Sequence, residues 1–141
     1  MTNLTELADW VETLAADDPT RVLNREVALA IGWYRRTPSK GRSKYPTWVH
    51  PDDCRDGKPI YDSLHGTNIW REPLNYLTSL EAAMMLVVDR RAITIEISPK
   101  VTEVTIQYRL AGKPMLAEAK AATPALALCA AALRIGNISC Y

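Results

Sequence analysis

The spacing of apolar and polar positions changes along the chain, and this change separates predicted helices from predicted strands. Apolar side chains recur every three or four residues over 3–16, 20–31 and 78–89, which predicts three amphipathic helices. Gly32 follows the second segment, where a helix end favours glycine, and Thr78 is the predicted cap of the third. The stripe predicted to be buried on the third helix consists of Leu80, Ala83, Met84 and Val87.

Between residues 93 and 120 the spacing changes to every second residue, which is typical of strands with one buried face. Turn-forming residues at 98–100 and 111–113 separate three such runs, which predicts an antiparallel meander. The positions predicted to face the core are Ile93, Ile95, Ile97, Val104, Ile106, Tyr108, Leu110, Met115, Ala117 and Ala119. The opposite face is polar, so we expect it either to be partly exposed to solvent or to carry a functional site. Its residues include Thr94, Glu96, Thr105, Gln107 and Arg109.

A final helix is predicted between Thr123 and Gly136. Thr123 suits the N-cap, Pro124 the first helical position and Gly136 the stop. The intervening sequence ALALCAAALRI is apolar around its circumference apart from Arg134, so the helix should be buried on more than one side. Because a chain of this size has few elements to cover such a helix, we expect a homo-oligomer.

Together these elements predict an α+β fold in a single domain over residues 1–141. It consists of an antiparallel three- or four-stranded sheet packed with about four helices. Residues 33–76 interrupt the periodic pattern as an irregular segment with seven of the ten aromatic residues and five of the nine prolines. Long segments of this kind are usually functional, and short extended pieces are predicted in it at 45–49 and 67–70.

Composition excludes several classes of protein, and charge indicates a location. With 48% hydrophobic and 23% charged residues, the 141-residue chain resembles a globular domain rather than a disordered tail, a coiled coil or a membrane protein. The net charge of +1 provides no global attraction to nucleic acid or membranes. That total hides a basic region, because residues 33–60 carry seven basic and three acidic side chains whereas residues 1–32 carry two and six.

The cysteines and the N-terminal sequence indicate a compartment. Three cysteines, an odd number without CxxC spacing, argue against a disulfide framework and for reducing conditions. The first residues are acidic where a signal peptide needs a basic start, and no stretch reaches 18 apolar residues. We therefore expect a cytoplasmic protein that does not engage a membrane.

Three segments occur together in an order that carries a family resemblance. Residues 29–33 (LAIGW) follow an N-terminal helix, residues 76–83 (YLTSLEAA) open the middle helix, and residues 123–133 (TPALALCAAAL) follow the strands. Over nearly its whole length the sequence resembles the phage ABA sandwich domain family. The resemblance implies a small bacteriophage or prophage protein with an α/β/α sandwich-like arrangement, and it implies no catalytic residues.

The densest basic stretch is interleaved with aromatic residues and is the strongest candidate for a binding site. Guanidinium groups bind phosphate bidentately and Trp or Tyr faces stack on bases, so the stretch suits a nucleotide, a cyclic signalling molecule or a single nucleic-acid strand. The predicted ligand-binding residues are Trp33, Tyr34, Arg35, Arg36, Lys40, Arg42, Lys44, Tyr45, Trp48 and, on the polar face of the sheet, Arg109. The alternative is a solvated loop anchored by core aromatics.

Other candidate chemistry has less support. The run 50–54 (HPDDC) brings three metal-ligand types together with His65 nearby, but it has no paired ligand motif and is equally a plain turn. No metal or other cofactor is therefore predicted. Cys129 lies mid-helix in apolar surroundings and is predicted to be an inert core thiol. Because no nucleophile motif occurs, no catalytic residue is predicted.

These observations predict a non-enzymatic phage accessory protein that binds a small phosphate-bearing ligand in the cytoplasm of an infected bacterium. Phage proteins of this size include sponges that sequester nucleotide signals of host defence, and this analogy suggests an anti-defence role. The alternative is a protein-interaction module that binds a host or phage protein through the same segment, because Trp, Tyr and Arg are the usual hot-spot residues. Nucleic acid is a further candidate partner with weaker support.

Overall fold

The computed structural model describes residues 3–32, 34–36, 47–49, 60–62, 67–69, 74–87 and 92–135, and for the four short pieces between 34 and 69 it describes the backbone. Four α-helices occur in these residues. They are α1 (Leu4–Glu12), α2 (Arg21–Ala30), α3 (Leu80–Met84) and α4 (Pro124–Ile135).

The ends of the helices follow the boundary signals in the sequence. The side chain of Asn3 caps α1, with its Oδ1 accepting a hydrogen bond from Thr5 N at 2.8 Å. At the start of α4, Thr123 Oγ1 accepts from Leu126 N at 3.2 Å, which confirms the predicted cap. Gly32 has a φ of +113° just after α2, which confirms that a glycine terminates this helix.

The third helix is shorter than predicted and begins one residue later. Its cap is Ser79, whose side chain accepts a hydrogen bond from Ala82 N, rather than Thr78. After Met84 the backbone hydrogen bonds change to a tighter i→i−3 pattern, so the α-helix stops well before residue 89. The predicted buried stripe was right at Ala83 but wrong at Leu80 and Met84, which are 37% and 49% exposed, whereas Ala82 and Leu86 are buried beside Ala83. These three positions also recur at helical spacing, and the small alanines let α3 pack closely against α4.

Seven strands form three separate sheets in the described residues. The strands are β1 (Tyr34–Arg36), β2 (Thr47–Val49), β3 (Ile60–Asp62), β4 (Thr67–Ile69), β5 (Ala92–Ile97), β6 (Thr102–Leu110) and β7 (Lys113–Ala121). β1 pairs with β2 and β3 pairs with β4, while β5, β6 and β7 form a three-stranded sheet in that order. All the pairings are antiparallel, which confirms the predicted meander and the two extended pieces now seen as β2 and β4. β1 and β3 were not predicted.

The three-stranded sheet buries its apolar face where α4 covers it and exposes that face at its two ends. In one row across the sheet Ile93 pairs with Ile106 and Ile106 with Ala117, and the last two are buried. Three positions predicted to face the core are exposed instead, because they lie at or near strand ends: Ile97 by 71%, Leu110 by 60% and Met115 by 38%.

A tight turn joins β6 to β7. Leu110 pairs with Lys113, so Ala111 and Gly112 alone make the connection. Their φ values are +51° and +80°, and a two-residue hairpin turn of type I′ needs a positive φ at both positions. Gly112 adopts such a φ without steric cost, whereas Ala111 does so at some cost.

α4 lies at the centre of the core. Nine consecutive residues, from Ala125 to Leu133, are buried, as the unbroken apolar sequence predicts. α4 contacts β6 and β7 on one side and α1 and α3 on others. The chain therefore covers this helix with its own elements. Our reason for expecting a second subunit over α4 does not hold, and a homo-oligomer needs a separate argument.

The described residues thus have an α+β fold, with a three-stranded antiparallel sheet and four helices. The opposite, polar face of the sheet is exposed or half-buried along all three strands. Among the described helices, none has the length and apolar character that a membrane crossing requires.

Candidate functional site

The two ends of the predicted basic and aromatic stretch are joined by the β1–β2 ladder. The register pairs are Tyr34 with Val49, Arg35 with Trp48 and Arg36 with Thr47. An arginine and a tryptophan that lie 13 positions apart in sequence are therefore direct neighbours across two strands. The backbone brings together four of the ten predicted ligand-binding residues, namely Tyr34, Arg35, Arg36 and Trp48.

Five other predicted ligand-binding residues lie outside the described residues: Trp33, Lys40, Arg42, Lys44 and Tyr45. The HPDDC run at 50–54 and His65, which were weighed as metal ligands, also lie outside them. Within the described part of the chain, no group of three or more His, Cys, Asp and Glu side chains is arranged to hold a metal ion.

The tenth predicted residue, Arg109, lies on the exposed face of the three-stranded sheet, near the β6–β7 turn. It is exposed, and its register partner on β7 is Pro114. No described acidic side chain forms an ion pair with its guanidinium group.

The rest of that face does not favour an anion. This face carries three carboxylates, those of Glu96, Glu103 and Glu118. Its second cation is Lys120, whose Nζ lies 3.9 Å from Oε1 of Glu103. Glu96 is the direct register partner of Glu103, which places two like charges side by side across strands. A phosphate group would be repelled over most of this face, and only its Arg109 end is basic.

A partly buried ionic network joins α1, α4 and β7, and it was not predicted from the sequence. Arg134 at the end of α4 donates through Nη2 to the carboxylates of Glu12 and Asp9 on α1, the latter at 2.7 Å. Its Nη1 donates to the backbone carbonyl of Glu118 at 2.7 Å. Glu12 in turn accepts from the backbone N–H of Lys120 through Oε2 at 2.7 Å. The only sequence signal was the lone polar residue on an otherwise apolar helix.

The electrostatics of this network are those of a structural clamp. The hydrogen bond from Arg134 holds the pKa of Glu12 below its ordinary value, against the opposing effect of partial burial. The same bond, together with Asp9, raises the pKa of Arg134 further above its already high value. Both groups therefore remain charged at neutral pH. They are satisfied by each other and by the backbone rather than set up for proton transfer.

Cys129 is the only cysteine among the residues that the structure describes. It is fully buried in α4, and burial raises the pKa of its thiol to about 12. The thiol is therefore protonated and inaccessible, which confirms the prediction of an inert core cysteine.

What remains as a site is the β1–β2 ladder with its basic connection and, separately, the exposed Arg109. No family model, curated protein or solved structure was found that matches this chain. The residue types in the ladder are ones that could serve in binding, since a guanidinium group can supply paired donors to an oxyanion and an indole a flat apolar face.

Proposed function

We propose that this chain is a non-enzymatic phage accessory protein that binds a small phosphate-bearing ligand through residues 33–48. The observation that carries the proposal is the register pairing of Arg35 with Trp48. A nucleotide requires a cation for its phosphate and a flat surface for its base, and this pairing supplies both residue types at one place.

The charge along the segment supports the same proposal. Five basic residues and no acidic residue occur between positions 33 and 48. The exposed face of the sheet, by contrast, carries three carboxylates and two cations. An anionic ligand is therefore attracted to the ladder and its connection, and Arg109 contributes only if the ligand also reaches the β6–β7 end of the sheet.

The proposed setting is the cytoplasm of an infected bacterium, with the chain as a member of the phage ABA sandwich domain family. Its proposed role is to sequester a nucleotide signal of host defence. Such a role needs tight binding and no catalysis, which suits a segment rich in aromatic residues and in Arg and Lys side chains that can donate hydrogen bonds to phosphate.

The proposal is tested by analysing what the purified protein carries. The protein is isolated from cells, denatured, and its released small molecules are identified by mass spectrometry. We expect a phosphate compound in a stoichiometric amount. The amount that remains bound to the double variant Arg35→Ala, Arg42→Ala should be lower by about tenfold or more. The matched control is Arg21→Ala with Lys100→Ala. It removes the same charge from exposed positions outside the segment and should retain the ligand.

Two results would contradict the proposal. Undiminished binding by the Arg35→Ala, Arg42→Ala variant would show that other residues hold the ligand. Isolation without any phosphate compound, together with capture of one protein partner that this double variant no longer captures, would favour the protein-interaction module. That alternative uses the same Trp, Tyr and Arg residues as hot spots.

A further inference from the structure

The outer edge of β7 is covered along only half of its length. β7 is an edge strand, because the sheet order is β5–β6–β7. Two of its backbone groups are capped from α1 and α4: Lys120 N–H donates to Glu12, and Glu118 C=O accepts from Arg134. These two bonds also establish that residues 118 and 120 turn their backbone groups away from β6.

In the part of the chain that the structure describes, no element covers the other half of this edge. In an antiparallel ladder every second residue turns its backbone outward, so Leu116 and Pro114 do so as well. Within the described part of the chain, nothing pairs with the N–H and C=O of Leu116, the N–H of Glu118 or the C=O of Pro114. The side chain of Leu116 is 57% exposed. An uncapped edge of this kind is a template for another strand.

We propose that this open edge pairs with the same edge of a second copy of the chain. β7 and its copy run antiparallel about a two-fold axis at Leu116, and the two sheets join into one of six strands. Leu116 of each copy donates to and accepts from Leu116 of the other. The N–H of Glu118 in each copy donates to the C=O of Pro114 in the other, which gives four hydrogen bonds in total.

The self-complementarity of the edge favours a second copy over an unrelated strand. In this register Pro114 faces Glu118 of the other copy. Pro114 has no N–H to donate to the Glu118 C=O of the other copy. That carbonyl needs no such donor, because it already accepts a hydrogen bond from Arg134 of its own chain. Every outward backbone group from 114 to 118 is therefore satisfied, and none is buried without a partner.

The exposed apolar residues of the hairpin lie at the same place. Leu116 would meet its own copy across the axis, as a directly opposed side-chain pair. Met115, which is 38% exposed on the other face, would lie opposite Ala117 of the second copy. This interface does not involve α4 and does not depend on ligand binding.

The first test measures molar mass by light scattering and sedimentation at about 100 μM and at lower concentrations. We expect a dimer. Leu116→Pro removes two of the four intermolecular hydrogen bonds and no bond to β6, so the dissociation constant should rise about 30-fold or more. The matched control is Ile97→Pro, because Ile97 turns its backbone outward on the opposite edge strand β5 and is exposed. This control should remain a dimer. A monomeric parent protein, or a Leu116→Pro variant that dimerises like the parent, would overturn the proposal.

A second test holds even if the proline variant fails to fold. In a background with Cys54→Ser and Cys140→Ser, Leu116→Cys places two thiols across the axis with Cα atoms about 5.5 Å apart, within disulfide range. Mild oxidation should convert most of the protein to a covalent dimer, while Ile97→Cys in the same background should stay monomeric on a denaturing gel. Equal cross-linking of the two variants would refute the pairing.

Discussion

Arg134 links α4 to α1 and β7 through its hydrogen bonds. Replacing it should therefore lower the free energy of unfolding by a measurable amount. Arg134→Met keeps an apolar stem and removes the guanidinium group with its bonds to Glu12, Asp9 and Glu118. The pair with Glu12 is about three-quarters shielded from solvent and contributes about 1.5 kcal/mol as a charged hydrogen bond. The bond to the Glu118 carbonyl contributes about 1 kcal/mol, and the pair with Asp9, which is 64% exposed, at most about 0.5 kcal/mol.

The expected loss in the free energy of unfolding is therefore about 3 kcal/mol, which lowers Tm by about 10 °C in a domain of this size. Urea unfolding followed by tryptophan fluorescence measures this loss. A double-mutant cycle with Glu12→Gln should give a coupling energy of about 1.5 kcal/mol.

The exposed pair Lys120–Glu103 provides the control. Its Nζ–Oε1 distance is 3.9 Å and its side chains are 68% and 45% exposed, so Glu103→Gln should change stability by less than about 0.5 kcal/mol. A loss below about 1 kcal/mol for Arg134→Met, or no difference from this control, would refute the reasoning that partial burial strengthens the Arg134 network.

Three further predictions follow from local features. The folded chain holds the pKa of Glu12 below 4.5, mainly through the Arg134 hydrogen bond, so the unfolded state takes up this proton first as the pH falls. The free energy of unfolding should therefore decline from about pH 4.5 downward. Glu12→Gln should reduce that decline in acid unfolding curves. Ala111→Asn should raise stability by about 0.5 kcal/mol in thermal melts, because Asn-Gly favours a type I′ turn, whereas Gly112→Ala, which meets no neighbouring atom, should cost about 1 kcal/mol from its φ alone. With Cys54→Ser and Cys140→Ser in place, Cys129 should resist a thiol reagent in native protein and react fully in urea; reaction at equal rates would contradict its burial.

Local signals in the sequence were sufficient for the elements that they define directly. The Thr123 cap and the unbroken apolar run predicted α4, and the alternation after residue 92 predicted the meander, because both depend on neighbouring residues. α3 was harder, since two overlapping stripes fit helical spacing and only packing against α4 selects the one with Ala82, Ala83 and Leu86.

Long-range partners could not be read from the sequence. Arg134 meets Glu12 across 122 positions, and no local pattern marks that pairing. The Arg35–Trp48 pairing was likewise hidden, because β1 and β2 have three residues each and too little alternation to indicate a register. The basic and aromatic composition of the segment indicated where to look, and the ladder added which of its residues are neighbours.

The central position of α4 has a consequence for how the protein is made. The residues of α1 that pack against α4, including Leu7, Ala8 and Val11, leave the ribosome about 110 residues before α4 does. At a translation rate of about 5 to 20 residues per second that interval is about 5 to 20 seconds. During it the apolar face of α1 has no α4 to cover it, because the strands β5–β7 and then α4 are made only after residue 91. The nascent chain therefore presents this apolar face to chaperones and proteases until residues 124–135 emerge. A slow codon before that point would lengthen the exposure, and a nonsense mutation there would release a chain that lacks the helix at the centre of its core.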